Sequence, residues 1–302
     1  AVGWASNGVS NDFALVRYNP DGSLDTSFSG DGIQATDFAS SNDAANGVAL
    51  QPDGKIVVAG SGGSSDIAVA RYNPDGSLDS TFDGDGKLLT SVGGIDRGND
   101  VALQPDGKIV VAGYTYADFA VIRYNADGSL DSTFDSDGKL VTDFQGNYDE
   151  GYALFLQPDG KIVVSGSANN GTNDDFALAR YNPDGSLDTS FDGDGKLMTD
   201  LSGNNDIAYA VVRQENGKIV VSGAAHNGTD TDFALARYNL DGSLDSTFGA
   251  AGKLVTDFTA EDDNGDSANA LALQKDGRIT ATGSIGSPVP DVSFDFVVAW
   301  YK

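Results

Sequence analysis

Short hydrophobic segments of two kinds alternate along the chain, and both are typical of β-strands. In "FALARY", residues 176–181, Phe176, Leu178 and Arg180 occupy every second position. This period of two places them on one face of a strand. "KIVVAG" at 108–113 is almost wholly apolar, as expected of a strand covered on both faces. No segment shows the helical period of 3.6 residues, so the pattern predicts an all-β protein.

The phrase "PDGKIVVAG" recurs along the chain in five related copies. Their turn glycines are Gly54, Gly107, Gly160, Gly217 and Gly277, at spacings of 53, 53, 57 and 60 residues. Each unit predicts four strands. In the unit around Gly107 these lie at 100–104, 108–113, 118–125 and 138–144. Four-stranded antiparallel units at this period are typical of β-propeller blades.

The number of blades follows from counting the strand phrases. The first- and fourth-strand phrases occur five times each and the third-strand phrase six times. Four units are therefore complete, while residues 1–38 lack a first strand and residues 268–301 lack a fourth. This favours six blades, two of them incomplete, in a single domain spanning 1–302. The alternatives are five blades, with 32–38 closing the last one, or missing strands that lie outside this sequence.

Two long phrases carry a family resemblance that extends over essentially the whole chain. The combination of "FALARYNPDGSLDTSFDGDGKL" with "ALQPDGKIVVAG" resembles the bacterial delta-60 repeat family, and the strand order is similar to that of NHL-type propeller blades. The resemblance implies propeller-type repeats of secreted and cell-surface proteins. It implies no particular activity, because the family is named for its repeat.

The amino-acid composition restricts which partners the protein is expected to bind and in which compartment it is expected to lie. The formal charge is −27, from 45 acidic and 18 basic residues. Such a charge opposes binding to nucleic acid and to anionic membranes. The chain has no Cys and one His, so neither disulfides nor a zinc site is expected. No apolar run reaches the ~18 residues of a membrane span. With "AVGWASNG" as its start, the sequence suggests a mature or trimmed product, and its composition suggests an exported bacterial protein.

The most repeated phrase, "RYNPDGSLDSTFDGDGKL" at 71–88, allows two interpretations. Pro74, Asp75 and Gly76 suit a tight turn, and an Arg stands opposite an Asp eight residues later. A bidentate Arg–Asp pair would hold the loop as a structural latch. The predicted pairs are Arg17 with Asp25, Arg71 with Asp79, Arg123 with Asp131, Arg180 with Asp188 and Arg237 with Asp245.

The second interpretation is a calcium site. "NPDGSLD" resembles the later part of a calcium loop, but Arg71 occupies the position where the first carboxylate is required. The remaining candidate ligands are Asp83, Asp85, Asp135, Asp137, Asp192 and Asp194. In the fifth copy the corresponding residues are Gly249 and Ala251. The phrase is therefore interpreted mainly as a turn with a latch, and Ca²⁺ is the one cofactor considered.

No catalytic constellation is apparent in the sequence. It contains no G-x-S-x-G, H-E-x-x-H or Walker A phrase. His226 lies in a variable loop without an assignable partner, and acidic clusters such as 260–266 are expected to be solvated. The chain is accordingly predicted not to be an enzyme, with a carbohydrate-active propeller enzyme as the alternative.

Variation between the repeats is confined to one set of loops. The turns after strands one and three are nearly invariant, whereas the loops after strands two and four differ in every unit. Binding residues concentrate on such variable loops of rigid scaffolds. The candidate ligand-contacting residues are Arg97, Tyr114, Tyr116, Tyr148, Tyr152, Tyr209 and His226.

The leading hypothesis from the sequence is a non-enzymatic extracellular or cell-surface module that binds a protein or glycan, or serves as a structural unit. The alternative is an assembly or spacer unit that pairs with other copies or domains through open terminal blades. The edge strands expected for this pairing are Phe13–Tyr18 and Phe296–Tyr301, because unpaired strand edges template further pairing.

Overall fold

The computed structural model describes residues 1–63, 65–258, 265–286 and 294–301. In these ranges every regular element is a β-strand, and the strands form six antiparallel sheets. No helix that could span a membrane is found among them. The chain divides into two compact units, Ala1–Thr142 and Asp143–Lys302. Each unit is described by itself, and the single domain expected from the sequence stays a prediction.

The first unit contains three sheets, called blades 1 to 3, in its described part. Blade 1 has three strands in the order β1-β2-β3, and blades 2 and 3 have four each, paired in chain order. The strands are β1 (Val2–Ser6), β2 (Asn11–Val16), β3 (Ile33–Thr36), β4 (Ala44–Leu50), β5 (Ile56–Gly62), β6 (Asp66–Tyr72), β7 (Lys87–Thr90), β8 (Asp96–Leu103), β9 (Ile109–Thr115), β10 (Asp118–Tyr124) and β11 (Lys139–Thr142).

The second unit contains blades 4 to 6. Blades 4 and 5 have four strands, and the described part of blade 6 has three. The strands are β12 (Asp149–Leu156), β13 (Ile162–Asn169), β14 (Asp174–Tyr181), β15 (Lys196–Thr199), β16 (Asp206–Arg213), β17 (Ile219–His226), β18 (Thr231–Tyr238), β19 (Lys253–Thr256), β20 (Ser267–Leu273), β21 (Ile279–Gly286) and β22 (Phe294–Tyr301).

The six sheets confirm the all-β propeller fold and the favoured blade number. Residues 33–36 form β3, which pairs with β2 inside blade 1. They therefore do not close the last blade, as the five-blade alternative required. First strands begin earlier than predicted: β8 begins at Asp96 rather than at residue 100. The added residues pair with the end of β9.

The expected edge strand at the start of the chain was placed incorrectly. β2, which covers most of Phe13–Tyr18, pairs on one side with β1 and on the other with β3. Within the described residues, β1 is therefore the edge strand of blade 1. It corresponds to a second strand, which in the four-stranded blades pairs with a first strand. β22 is an edge strand, as expected, since it pairs only with β21 in the described sheet.

The hydrophobic core lies between the faces of neighbouring blades. Between blades 2 and 3, Val57 and Val69 pack in one cluster with Val111 and Ile122, and all four side chains are buried. This explains why the second and third strands of blade 2 are apolar on both faces, because blade 2 packs against blade 1 on one side and blade 3 on the other. Similar clusters join blades 1 and 2, blades 4 and 5, and blades 5 and 6.

First strands of adjacent blades approach each other closely, and this requires small residues. A Cβ atom on Gly47 of β4 would lie 2.9 Å from the Cα atom of Asp100 in β8. Asn46 donates a side-chain hydrogen bond to the carbonyl of Gly98, at 2.9 Å. Each of the five first strands also carries a β-bulge near its start. Glycine at position 47 therefore allows the two backbones to approach this closely.

The repeated phrase forms a rigid loop that also binds the next blade. The Gly76 N–H donates to the Asn73 carbonyl at 2.9 Å, and Gly76 has a φ of 90° that favours glycine. Phe82 is fully buried in the cluster between blades 2 and 3. The Asp83 N–H donates to the carbonyl of Asp127 in blade 3, at 2.8 Å. The same loop therefore forms both the turn and the contact with the next blade.

All five Arg–Asp pairs are present as ion pairs. The Nε atom of each Arg lies 2.6–2.8 Å from an Asp Oδ2. The contact is this single hydrogen bond and not the bidentate pair expected, because the other guanidinium nitrogens have different partners. In Arg180, Nη1 donates to the Leu240 carbonyl of blade 5 at 2.5 Å, and Nη2 donates to the Ser190 hydroxyl at 3.0 Å. The guanidinium also lies 4.6 Å above the Phe191 ring.

Four of the five aspartates have a second cationic partner that the sequence analysis missed. These partners are the lysines of the turns between first and second strands, which read "PDGK" in three blades and "ENGK" in the fourth. The distances are 2.5–3.4 Å, from Lys55 to Asp79, Lys108 to Asp131, Lys161 to Asp188 and Lys218 to Asp245. Burial acts to raise the pKa of Asp188, but hydrogen bonds from Lys161 and Ser190 outweigh it. Its pKa therefore lies well below the usual range. By the same balance, with Thr133 as the main donor, the pKa of Asp131 is lowered to about 2.

The two most different copies of the latch give a stability test. We expect Arg180→Met to lower the free energy of unfolding by about 3 kcal/mol, because it removes one partner of a buried pair. The Arg180 side chain is 5% exposed, against 32% for Arg17. Arg17→Met is therefore the matched control, with an expected loss below about 1 kcal/mol. Urea unfolding followed by circular dichroism measures both. Equal losses would contradict the importance of burial at Arg180.

Candidate binding face

The strand order sorts the loops of every blade onto two ends, as the sequence analysis expected. We call the end that carries the first-to-second and third-to-fourth connections the turn end. The end that carries the second-to-third connections and the connections between blades is the loop end. In blade 2 the turn end comprises residues 51–55 and 73–86, and the loop end includes 63 and 65 and continues into 91–95. Residues 259–264 and 287–293 of the variable loops lie outside the described residues.

In the first unit, three candidate contact residues lie together at the loop end of blade 3. Arg97 in β8 stands directly across from Tyr114 in β9. Tyr116 follows β9, is 66% exposed and has a φ of 41°, so its ring is presented by a tight turn. Beside them, a cavity of about 290 Å³ is lined by Arg97, Asp96, Asn42 and Ser61 among others. An arginine and two tyrosines beside a polar cavity suit a ligand with hydrogen-bonding groups.

In the second unit, the structure brings together two of the four candidates. The rings of Tyr152 and Tyr209 lie 5.5 Å apart in an edge-to-face arrangement. Each occupies the bulge of a first strand, in β12 and β16 respectively, and bulges commonly redirect side chains near functional sites. The Tyr152 hydroxyl donates to the Glu150 carboxylate. Burial raises the pKa of Tyr209, with a further contribution from the Glu150 charge.

The other two candidates of the second unit occupy separate places. Tyr148 precedes β12 and is 64% exposed. His226 ends β17, and its Nδ1 accepts a hydrogen bond from the Gly228 N–H at 3.1 Å. Its carbonyl accepts from the Ser202 hydroxyl at 2.7 Å. The histidine therefore helps to shape its own hairpin.

Groups of three carboxylates recur at the loop end, and the sequence analysis did not single them out. Each group combines the Asp at the start of a third strand, the Asp after the fourth strand, and the Asp at the start of the next first strand. Ligand oxygens of the three lie within 4.8 Å of one another. We call these groups the carboxylate triads. Within the units they are Asp12, Asp37 and Asp43; Asp175, Asp200 and Asp206; and Asp232, Asp257 and Asp266.

The third member of each triad also stabilises the connection between blades. Asp206 is fully buried and accepts hydrogen bonds from the Leu201 N–H at 2.6 Å and the Ser202 hydroxyl at 2.8 Å. Burial raises its pKa to about 6, and the charges of Asp200 and Asp175 add to the effect. Burial also raises the pKa values of Asp43, Asp175 and Asp232. At neutral pH each triad thus concentrates negative charge at a site that is partly shielded from solvent.

The predicted metal ligands at the turn end have a different geometry. The side chains of Asp85, Asp137 and Asp194 each accept a hydrogen bond from the N–H of the lysine two residues later, at 2.9–3.0 Å. Asp83, Asp135 and Asp192 have positive φ angles of 43–51° and occupy the tight part of the loop. Burial raises their pKa values, with a further contribution from the neighbouring Asp. Calcium binding at these residues stays a prediction.

A sequence signal for the triads was available. The phrase "TDF" or "TDL" ends the fourth strand at 36–38, 142–144, 199–201 and 256–258. An Asp also precedes the third-strand phrase and opens the next first strand. Because the three aspartates recur in a fixed relation to the strands, their side chains are expected to lie close together at one end of each blade. After β7 the middle position is Ser91, so the grouping is not uniform along the chain.

The repeat structure identifies the family of the chain. Residues 1–28, 51–82, 104–134, 157–191 and 214–248 match the family described as "Domain of unknown function (DUF5122) beta-propeller". Together these segments cover just over half of the sequence. The chain belongs to this β-propeller repeat family. Each matched segment after the first runs from the turn between the first and second strands to the latch loop. No curated protein matches the chain.

The chain is similar to several solved structures at low sequence identity. A protein of unknown function from Dyadobacter fermentans DSM 18053 is 10% identical, with a TM-score of 0.49, covering 99% of this chain and 94% of that chain. An α-L-arabinofuranosidase from Lactobacillus brevis is 12% identical, with a TM-score of 0.44 and coverages of 85% and 89%. A GH43 endo-arabinanase from Bacillus licheniformis is 7% identical, with a TM-score of 0.38 and coverages of 84% and 92%. All three TM-scores are below 0.5, so nothing about this chain is concluded from these similarities.

The raised pKa of Asp206 predicts a specific dependence of stability on pH. The folded pKa of about 6 exceeds the model-peptide value of 3.8. Between these two pH values the folded protein keeps a proton on Asp206 that the unfolded chain has lost. This proton binding stabilises the folded state fully below pH 3.8, and the stabilisation is lost as the pH rises through 6. Asp206→Asn stays neutral and can still accept from Leu201. We expect the free energy of unfolding of the variant, relative to wild type, to rise by up to about 3 kcal/mol from pH 4 to pH 7.

Urea unfolding at several pH values measures this difference. The Asp159→Asn variant, at an exposed position, is the control for the chemical change itself. A constant difference for Asp206→Asn would contradict the raised pKa.

The calcium hypothesis predicts a higher melting temperature in millimolar Ca²⁺ than in excess EDTA. Binding to the native state alone stabilises by about 2.7 kcal/mol at a hundredfold excess over the dissociation constant. Two double variants locate the ion. Loss of the shift in Asp192→Asn/Asp194→Asn assigns it to the turn end, and loss in Asp200→Asn/Asp206→Asn assigns it to a triad. No shift in wild type would leave both sets as hydrogen-bonded loop residues.

Proposed function

We propose that this protein is a non-enzymatic module that binds a protein or a glycan through the loop end of its blades. The observation that carries the proposal is the contrast between the two ends of each blade. At the turn end, the same Arg, Asp, Lys and Phe contacts recur almost unchanged. At the loop end, the blades differ in sequence and present side chains such as Arg97, Tyr116 and Tyr148. A rigid scaffold with variable exposed loops suits recognition.

The chemistry of the loop end also favours binding over catalysis. His226 already accepts a hydrogen bond from Gly228 through Nδ1, so that nitrogen is engaged within its own loop. Tyrosine and arginine, which are prominent there, are the residues that most often dominate binding energy at interfaces. A carbohydrate-active enzyme is the alternative. The similarity to the α-L-arabinofuranosidase and the endo-arabinanase is too distant to favour it.

The setting we propose is extracellular or on a bacterial cell surface, with repeats of the delta-60 type. The support is the resemblance of the repeat phrases, the absence of cysteine and the strongly acidic composition. A net charge of −27 opposes association with nucleic acid and with anionic membranes. It also favours Ca²⁺ as the cofactor to test first, since oxygen ligands dominate calcium sites.

A second candidate function is assembly through the open blades. β1 and β22 each have one edge to which no described strand is bonded. On β22, Phe296 and Trp300 are 76% and 65% exposed. Unpaired edges with apolar side chains favour pairing with another chain. Light scattering tests this function, and a monodisperse monomer across the micromolar range would count against it.

The binding proposal predicts which tyrosines matter. The intact labelled protein is first screened against arrays of glycans and extracellular proteins, and the affinity of each confirmed ligand is then measured by calorimetry. We expect Tyr116→Ala or Tyr148→Ala to weaken binding about 30-fold, the effect of losing a hot-spot side chain of about 2 kcal/mol. Tyr18→Ala at the turn end, where Tyr18 is 56% exposed, is the matched control and should bind as wild type. Equal affinity of all three variants would exclude the loop end as the binding surface.

A further inference from the structure

The loop-end connection between blades 2 and 3 differs in charge from the other connections. The residue that follows the Asp at the start of each first strand is Ala44, Arg97, Glu150, Ile207 or Ser267, so Arg97 is the only cation at this position. The position after the fourth strand, which is an Asp in every triad, is Ser91 here. Compared with the connection between blades 1 and 2, one cation is gained and one anion is lost, a difference of two charges.

The guanidinium group of Arg97 has no partner within the described part of the chain. Arg17, Arg71, Arg123, Arg180, Arg237 and Arg278 all form ion pairs. By contrast, no hydrogen bond, ion pair or ring contact involves the Arg97 side chain among the described residues. Arg97 is exposed and lines the cavity of about 290 Å³. Its planar fork of N–H donors matches a carboxylate, so the cavity can bind an anion.

The carboxylates nearest to this cavity do not compete for Arg97. Asp96 contributes to the cavity wall, but it precedes Arg97 in β8, and successive side chains of a strand point to opposite faces. Asp96 is fully buried and accepts hydrogen bonds from the Val92 N–H at 2.7 Å and from the Thr115 hydroxyl. Asp43 of the neighbouring triad is also buried and accepts from two backbone N–H groups. Both charges are therefore satisfied inside the protein.

Much of the remaining cavity lining is polar and uncharged. Asn42 accepts a hydrogen bond from the Asn11 N–H through Oδ1, at 3.0 Å, which leaves its side-chain N–H groups to donate. These groups and the hydroxyls of Ser61 and Ser65 have no partner among the described residues. An Asp or Glu side chain of a protein ligand would engage the guanidinium and leave these groups to water. A sugar that carries a carboxylate would engage both, because its ring carbons carry hydroxyls.

An exposed aromatic ring lies beside the cavity. The Tyr116 N–H donates to the carbonyl of the lining residue Ile95, at 2.7 Å, and Tyr116 is 66% exposed. A pyranose presents an apolar face of C–H groups, which can pack against the apolar body of a tyrosine. The volume of about 290 Å³ is at the lower end of the roughly 300–1,000 Å³ typical of small-ligand sites. It therefore suits a single sugar ring.

We propose that this cavity binds the terminal uronic acid of an otherwise neutral glycan. The Arg97 guanidinium pairs with the uronate carboxylate, the uncharged lining groups bind its hydroxyls, and Tyr116 packs against a sugar face. The ligand carries one carboxylate, because the net charge of −27 repels a chain of many negative charges. This inference rests on the binding function proposed for the loop end and names the ligand class of that surface.

The test uses the full chain and two trisaccharides, one ending in glucuronate and one in galacturonate. Each is compared with the same trisaccharide after reduction of its carboxylate to a hydroxymethyl group. We expect calorimetry to show about tenfold tighter binding of at least one acidic form, because only this form makes the charge-assisted pair with Arg97. Arg97→Gln should remove the preference. It should also unfold at the same urea concentration as wild type, since Arg97 has no partner to lose.

The matched control is Arg278→Gln, the same chemical change at an exposed arginine of the turn end, and it should keep the preference. Equal affinity for the acidic and reduced forms, or a preference that survives Arg97→Gln, would overturn the uronate site. If Tyr116→Ala weakens that binding, the loop end is still the binding surface. No binding of any trisaccharide at millimolar concentration also overturns the uronate site, and the array screen with Tyr148→Ala then tests the loop end separately. Binding that neither Arg97→Gln nor Tyr116→Ala changes would contradict both proposals.

Discussion

In the latches of Arg71 and Arg180, the guanidinium group connects four parts of the structure. It is anchored in a third strand, binds the Asp of the following loop, lies over a buried Phe ring and donates to a carbonyl of the next blade. In blade 2, Arg71 lies 2.7 Å from Asp79 and 4.8 Å from the Phe82 ring, and its Nη1 reaches the Ala126 carbonyl at 2.5 Å. Burying a charge is costly unless it is paired and fully hydrogen-bonded. This demand explains why the surrounding phrase is nearly identical in each copy.

The requirement at the latch leaves the opposite end of the blades free to vary. Strand register is set by the cores between blades and by the turn end, so the loop-end connections need only join strands that are already fixed. The longer period of the later repeats arises there: the hairpin between β17 and β18 reaches further than that between β5 and β6. The bulged position of the first strands likewise changes from Asn46 and Asn99 to Tyr152 and Tyr209. Variation is thus tolerated where backbone pairing ends.

Much of the fold could be predicted from the sequence, because its determinants are local and repeated. Period-two alternation predicts β14, and the "PDGK" turns predict where first and second strands meet. The edge strand was misplaced although residues 1–38 were expected to lack only a first strand; that expectation already makes the second strand, β1, the edge of blade 1. The Lys–Asp contacts could not be derived from spacing alone, since each joins residues of two different turns of one blade. The triad aspartates do recur in the sequence, but the closeness of their carboxylates depends on how the strands are placed in space.

The near-identity of the turn ends has a consequence for how the chain acquires its native pairing. Within a unit, the socket that receives the Phe82 ring in one blade has the same chemistry as the socket for Phe28 in the blade before it. A partly folded blade therefore meets several almost equivalent partners, and sequence alone barely distinguishes the correct neighbour from the next one along. Chain connectivity must make that choice, because the blade joined by the shorter segment has the higher local concentration. The short connections between blades, such as residues 91–95, therefore favour pairing of each blade with its neighbour in the chain during folding.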